Sequence, residues 1–363
     1  MELEWERLKE KGTSISRPGE WTQEGRWIPT KDKLETRPIH YPTFYRSRRL
    51  LDRVVRGNST KAAPLLNVAE HADSVYCLAV AHPWLVTGGR DKSLQIRHLS
   101  IGRTRKVANV EKAHEGSVLS CVVDLDTKGG IIVTGSSDST AAVWRVSLAV
   151  DQAIAANAGQ LLVTREQTLR GHTDTVLDVA LASHHIITCS KDTTIRIYAR
   201  DDYTLLHNII TAHTGPVNCL SLHSDSLQFV SASGDGTLVK YDLSTAQELL
   251  RVTTTGADGS STGHGLACIA WSGPYIVTGS NDRDIRIYDT EGTLLRRLEG
   301  HTGTVRAVDL DVDEEGRGAV VSGSYDHTVV IWDIETGRIR QRFPNAHESI
   351  VLDVHLKNGR LVS

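Results

Sequence analysis

The sequence has no apolar run of membrane-spanning length, and no apolar leader follows Met1. Net charge is also nearly absent. A formal charge of −3 over 363 residues gives no reason to expect nonspecific binding to nucleic acid or to a membrane surface. Cysteine is scarce: Cys77, Cys121, Cys189, Cys219 and Cys268 make five, an odd number. That count, without a leader, points to a reducing compartment, cytoplasmic or nuclear, rather than to a disulfide framework. Chemistry-bearing motifs are missing too. There is no Walker A sequence, no His-Glu-x-x-His and no Cys-x-x-Cys. We therefore expect no metal, no cofactor and no enzyme.

What the sequence has instead is a repeat. It is clearest from His301 to Asp333, HTGTVRAVDLDVDEEGRGAVVSGSYDHTVVIWD. A histidine opens the unit, a Ser-Gly-Ser-x-Asp turn divides it, and Trp332-Asp333 closes it. The runs 305–310, 319–322 and 328–332 are apolar or alternating and read as strands, with Gly- and Asp-rich turns between them. The turn aspartate recurs as Asp91, Asp138, Asp192, Asp235, Asp282 and Asp326, about 43 to 54 residues apart, a period that points to propeller blades. Six residues after each comes an aromatic, Trp144, Tyr198, Tyr241, Tyr288 or Trp332, except that Arg97 stands in the first unit. Four residues before each comes a hydroxyl: Thr87, Thr134, Thr188, Ser231, Thr278 or Ser322. Upstream of each lies a histidine: His71, His114, His172, His213, His264 or His301. Four of the cysteines stand two residues after a Val or Leu in a first strand. Equivalent places in a ring are spread apart, so they read as small core residues.

These units resemble WD40 repeats, and the resemblance covers residues 64–363. It implies an all-β, seven-bladed propeller. The last blade is incomplete, since a seventh unit opens at His347 and reaches only the hydroxyl position at Ser363. An unpaired strand edge would follow, because residues 64–68 lack a strand to pair with. We therefore expect a longer natural chain or a marginally stable product. Residues 147–167 read as an inserted surface loop with a helical turn, and residues 253–262 as a flexible loop. The resemblance also implies structural tetrads: His114, Thr134, Asp138 and Trp144; His172, Thr188, Asp192 and Tyr198; His301, Ser322, Asp326 and Trp332. Strands packed on both faces demand that polar groups between them be paired. Aspartate would accept from histidine and turn amides, histidine would meet the hydroxyl, and the indole or phenol would donate to that hydroxyl. A Ser-His-Asp triad is the rival reading, but six copies serve six blades and not one catalytic site. Arg97 should leave the first blade the least well braced.

Residues 1–63 stand apart from the array. Leu3 to Lys11 and the run TFYRSRRLLDRVVRG from Thr43 read as two short helices, a helical N-terminal extension. Trp5-Glu6-Arg7-Leu8 with Gly12 is similar to the tail of an F-box. Tyr45 to Leu50 with Gly57 is similar to the linker helix of F-box/WD40 proteins. The opening part of an F-box is not present. This resemblance implies a substrate receptor of an SCF-type ubiquitin ligase, meeting its adaptor only if an F-box lies upstream. A general WD40 scaffold is the alternative.

Function then belongs to the rim, where the repeat leaves residues free to vary. The WD40 resemblance implies top-face positions that fall here on Tyr76, Leu352 and Tyr325, which would make the mouth apolar. Arg306 lies among them, with Arg283 on the adjacent blade and Arg90 and Lys191 on others. The Arg283 and Arg306 pair resembles the phosphate clamp of F-box/WD40 receptors of phosphorylated degrons, which implies a protein or peptide target, phosphorylated or not, as partner. The family's third clamp arginine aligns with Leu352.

Overall fold

The computed structural model describes residues 71–363, apart from 101–102, 127–128, 149–160, 211, 224–226, 255–263, 313–317, 345–346, 348 and 358–359. Before residue 71 it describes only the backbone of four short strands. The chain divides into two compact units, Met1–Ile39 and His40–Ser363. In the first, Glu20–Trp21 pairs antiparallel with Trp27–Ile28.

The second unit is built from four-stranded antiparallel sheets. Six of them each use four consecutive strands, in chain order, and are the blades. Blade one holds Val75–Ala81, Trp84–Gly89, Leu94–Ser100 and Arg103–Val110. Blade two holds Val118–Leu125, Gly129–Ser136, Ala141–Leu148 and Leu161–Leu169. Blade three runs from Val176–Leu181 to Leu205–Ile209, blade four from Val217–Leu222 to Glu248–Thr253. Blade five runs from Leu266–Ser272 to Leu294–Leu298, and blade six from Val305–Val312 to Ile339–Phe343.

The expected seven-bladed ring with a cut last blade is not what forms. The complete blades number six. The stretch after blade six yields only His355–Lys357 and Arg360–Val362, and these join Thr43–Tyr45 and Leu66–Val68 in one sheet of three-residue strands. The helical extension is also corrected. Among the described residues there is no helix, and Thr43–Tyr45, at the start of the expected second helix, is a strand paired with Leu66–Val68. The physical reason is that a bare strand edge offers unpaired amides and carbonyls, and Thr, Phe and Tyr are good strand formers. The expected first helix, Leu3 to Lys11, lies outside the described residues. The supposed insertion 147–167 supplies most of Leu161–Leu169, the outer strand of blade two.

The second strand of each blade is enclosed on both faces: all of Trp84–Gly89 and Gly318–Ser324 is buried. Residues at the seams must therefore be small. A Cβ on Gly88 would stand 2.5 Å from Cγ1 of Val118 in the next blade. Polar stitches cross some seams. Oδ2 of Asp178 in blade three accepts the amide of Leu220 in blade four at 2.8 Å. Asp309 accepts the amide of Leu356 at 2.8 Å, and Asp353 accepts that of Leu78 at 2.9 Å. The short sheet is thus tied to blade six on one side and blade one on the other. Burial pushes the Asp178 carboxyl up to about 7, and the charge of Asp353 adds to that; the two amides and Arg306 oppose it.

The five cysteines are free thiols. Cys77 and Cys268 sit against the next blade's first strand, within sulfur hydrogen-bond range of the carbonyls of Val118 and Val305. Cys189 belongs to a second strand instead. Cys121, paired with Thr134, faces back toward blade one, where its thiol meets Cys77.

Candidate functional site: the braced rim of the propeller

Each blade's turn aspartate sits where the second strand hands over to the third, beside the loop that enters the first. In blade two, Asp138 accepts from Nδ1 of His114 at 3.0 Å and from the amide of Glu115 at 2.9 Å. It also accepts the amide and hydroxyl of Thr140 at 3.0 and 2.6 Å. Nε2 of His114 lies 2.8 Å from Oγ1 of Thr134, to which Trp144 Nε1 donates at 2.9 Å. The proton order follows from chemistry. An ionised carboxylate can only accept, so Nδ1 carries the ring proton, Nε2 accepts from the hydroxyl, and the hydroxyl accepts from the indole. Blade six repeats this with His301, Asp326 (2.9 Å), Ser322 (2.8 Å) and Trp332 (2.8 Å).

Blade three places His172 against Asp192 at 2.9 Å and Thr188 at 2.8 Å. Its aromatic differs: the Tyr198 phenol donates to the carbonyl of Arg170 at 3.5 Å, as Tyr241 of blade four does to Ala212 at 3.3 Å. A phenol projects its hydroxyl from the ring's tip and an indole its N–H from the side, so the two reach different acceptors.

Charge follows the same geometry. Burial alone would raise Asp138 and Asp326, but hydrogen bonds from His114 and Thr140, or His301 and Thr328, hold both far below the usual carboxylate range. Asp192 is held at about 2 in the same way, against burial, by Thr194, Thr173 and His172. Burial lowers His172, and takes His213 down to about 4, despite their aspartates.

Two blades depart. Blade one was expected to be the weakest. It lacks the aromatic, and Arg97 is buried in that place beside Gln95. His71 nevertheless bonds Thr87 at 2.8 Å, Asp91 at 3.0 Å and Ser93 at 3.0 Å. The larger departure is in blade five. His264 is exposed and outside the brace. Arg286, only 2% exposed, bonds Asp282 at 2.5 Å instead. Asp284 stands where the other blades have Ser or Thr, and is held by Arg297 at 2.5 Å. The Thr278 hydroxyl is left buried without a hydrogen bond, although the Tyr288 phenol lies beside it.

A further set of residues was not visible in the sequence. Guanidinium groups of Arg165, Arg196, Arg251 and Arg342 donate to Ala113, Gly171, Ala212 and Gly300, the carbonyls just before the brace histidines. Three come from outer strands and one, Arg196, from a third strand. No fixed spacing from histidine marks them.

On the top face, Arg90 pairs with Asp73 and Lys191 with Asp174, each at 3.8 Å within its own blade. Arg283 is exposed, held in the left-handed region at φ 76°, and makes no ion pair among the described residues. Half-buried Arg306 reaches back to the carbonyl of Ala267 in blade five at 3.2 Å. Its charge also bears on Asp178 and Asp353, which places it toward the ring's axis. Tyr325 is 41% exposed; Tyr76 and Leu352 are half-buried. Among the described residues no group of three or more His, Cys, Asp or Glu is placed to hold a metal ion. No helix there is long and apolar enough to cross a membrane.

Radial blades closed by repeated His–hydroxyl–Asp braces define a β-propeller of the WD-repeat class. The family model for the WD domain, G-beta repeat, matches residues 63–97, 105–145, 163–199, 204–242, 254–289 and 292–333. The chain belongs to the WD40 family. Among curated relatives it is 26% identical to Striatin-3 of Homo sapiens over 292 residues, covering 75% of this chain and 36% of that protein. It is 27% identical to Pre-mRNA-processing factor 19 homolog 2 of Arabidopsis thaliana over 236 residues, 64% of this chain and 41% of that one. It is 25% identical to the guanine nucleotide-binding protein subunit beta of Nicotiana tabacum, over 62% of this chain and 59% of that one. The chain therefore spans well under two thirds of these relatives' lengths. In three dimensions it resembles the WD40 beta propeller domain of Doa1, with TM-score 0.62, 18% identity, and 82% and 94% of the two chains covered, a likeness of fold.

Proposed function

We propose that the protein is a non-catalytic propeller that binds a protein or peptide target at the mouth of its ring, in the cytoplasm or nucleus. The observation that carries this reading is the uneven commitment of rim charge. Arg90 and Lys191 each face a carboxylate of their own blade at 3.8 Å, Asp73 and Asp174. Arg283 has no such partner among the described residues, and it neighbours the blade that bears Arg306 and the exposed Tyr325. A cation beside an open aromatic suits a peptide with an acidic or phosphorylated residue and an apolar neighbour. The brace residues argue against catalysis. The Thr134, Thr188 and Ser322 side chains are 0% exposed and bonded to their histidines, so no substrate reaches them.

The finer assignment is a substrate receptor of an SCF-type ubiquitin ligase. Its support is the likeness of Trp5 to Gly12 and Tyr45 to Gly57 to the F-box tail and linker, residues mostly outside the described part. Co-purification of the ligase adaptor with an upstream-extended chain tests it; an adaptor-free preparation leaves the scaffold reading. For the mouth, Arg283→Glu with Arg306→Glu should weaken binding to a phosphopeptide library at least ~100-fold, two charge-assisted bonds being lost. The melting temperature should hold. Unchanged binding removes those arginines from the site.

A further inference from the structure

Two of the five thiols meet across a blade seam. Cys77 lies on the first strand of blade one and Cys121 on the first strand of blade two. The Cys77 sulfur is 3.8 Å from the carbonyl of Gly88 in its own blade and 4.0 Å from that of Val118 in blade two. The Cys121 sulfur points the other way, to 4.0 Å from the carbonyl of Val86 in blade one. Each sulfur therefore sits against the other's blade, and the two thiols share a hydrogen bond.

The register of the seams explains the meeting. Cys77 stands two residues after Val75, as Asp178 does after Val176 and Asp353 after Val351. Those carboxylates reach the amides of Leu220 and Leu78, each three residues after the valine that opens the next first strand. Cys121 stands three residues after Val118, so the same crossing here brings together two side chains. The corresponding place across from Cys219 is Ile269, and across from Cys268 it is Val308. The seam is also tight. A Cβ on residue 88 would stand 2.8 Å from the Cys77 sulfur, so glycine there leaves the sulfur its room.

The two thiols differ in access. Cys77 is 4% exposed, whereas Cys121 is half-buried. Burial pushes the Cys77 thiol well above its ordinary value, and Cys121 beside it adds to that. An oxidant therefore reacts first at Cys121 and leaves Cys77 as the second sulfur. Among the described residues no third His, Cys, Asp or Glu joins them to hold a metal ion.

We propose that Cys77 and Cys121 are a reversible redox pair, oxidised by hydrogen peroxide to a disulfide that staples blade one to blade two. The Cys121 sulfur attacks a peroxide oxygen. The S–O bond forms, the O–O bond breaks, and the leaving hydroxyl takes the thiol proton as water. The Cys77 sulfur then displaces the remaining oxygen from the sulfenic acid. The S–S bond forms, the S–O bond breaks, and the hydroxyl leaves with the Cys77 proton as a second water. Two thiols are oxidised and one peroxide is reduced to two waters. A thiol reductant reverses the staple by exchange. The bond closes the loop from 77 to 121 and so restricts the unfolded chain.

The test uses the full chain, folded, treated with dilute hydrogen peroxide and then digested without reductant for peptide mapping. The wild type should give one linked pair of peptides, carrying Cys77 and Cys121, that dithiothreitol separates. The oxidised chain should melt about 5 °C higher than the reduced one. Cys77→Ala and Cys121→Ala should each lose both the link and the rise. The mapping is read on the wild type, so it decides the question even where a variant folds poorly. Free Cys77 beside sulfinic or sulfonic Cys121 overturns the proposal, because the second sulfur then fails to resolve the first. So does a link between other cysteines alone, or one that appears only in denaturant. A link that leaves the melting temperature unchanged or lowers it also overturns it, by showing that the native seam does not hold the pair ready.

Discussion

Blades five and six have the same four strands and the same register, yet hold their turns by different physics. In blade six His301 is held between Asp326 and Ser322, and Trp332 closes the chain of bonds. Only Asp326 carries a charge there, and the strength lies in every member being satisfied. In blade five a buried guanidinium faces Asp282, with Asp284 and Arg297 beside it. That is an ion network, stronger per contact and costlier to desolvate. One solution spreads the load over four residue types. The other concentrates it in Arg286 and strands Thr278.

The contrast can be broken by mutation. Arg286→Ala should have the largest effect, about 3–5 kcal/mol, because Asp282 is left buried without its cation. His301→Ala should cost less, roughly 1–3 kcal/mol, since its partners keep other hydrogen bonds. Denaturant unfolding of the two variants checks the order; a reversal would mean that the ion network is incidental. A hydroxyl deletion sharpens the point. Ser322→Ala should cost about 2 kcal/mol by unpairing His301 and Trp332, while Thr278→Val should be neutral or slightly stabilising, as no bond is lost. Equal losses would show that Thr278 is bonded in solution.

Acid should separate the blades by the smallest margin. A histidine held below its ordinary value of 6.5 stays neutral in the fold but binds a proton when unfolded. Its stabilisation is present above that value and is lost as pH falls toward the folded value, about 4 for His213. Asp138, Asp192 and Asp326 lose theirs only below the carboxylate value of 3.8. Arg286 does not titrate in either range. Asp178, raised to about 7 at the seam of blades three and four, works the other way, so in an Asp178→Asn background amide exchange at pH 5 should show blade four weakened by on the order of 1 kcal/mol relative to pH 7, and blade five not. Uniform weakening would contradict the assignment.

The repeat was legible because buried polar groups between packed strands must recur at fixed places, and Asp326, Ser322, Trp332 and their counterparts do. What could not be read was any substitution that preserves the function of a place while changing its sequence position. Arg286 replaces His264 from the opposite side of Asp282, and the spacing rule pointed to the wrong residue. The arginines on the pre-histidine carbonyls arrive from different strands, so no offset reveals them. Thr43 to Tyr45 misled for another reason. The longer run, with Phe44, Leu51 and Val55 on one side, reads as a helix, but Thr43, Phe44 and Tyr45 are themselves strand formers and a distant edge pairs them. The rim is the least legible part, because residues such as Arg306 and Arg283 are distinguished by their neighbours across a seam.

The short sheet that unites Thr43–Tyr45 and Leu66–Val68 with Arg360–Val362 has a kinetic consequence. Its two halves are separated by all six blades, so that contact carries a large loop-closure cost. Each blade can zip locally as it leaves the ribosome, but this sheet forms only when the segment before the blades meets the segment after them. Until then each segment keeps an open strand edge, and that interval is when those edges are most exposed to neighbours.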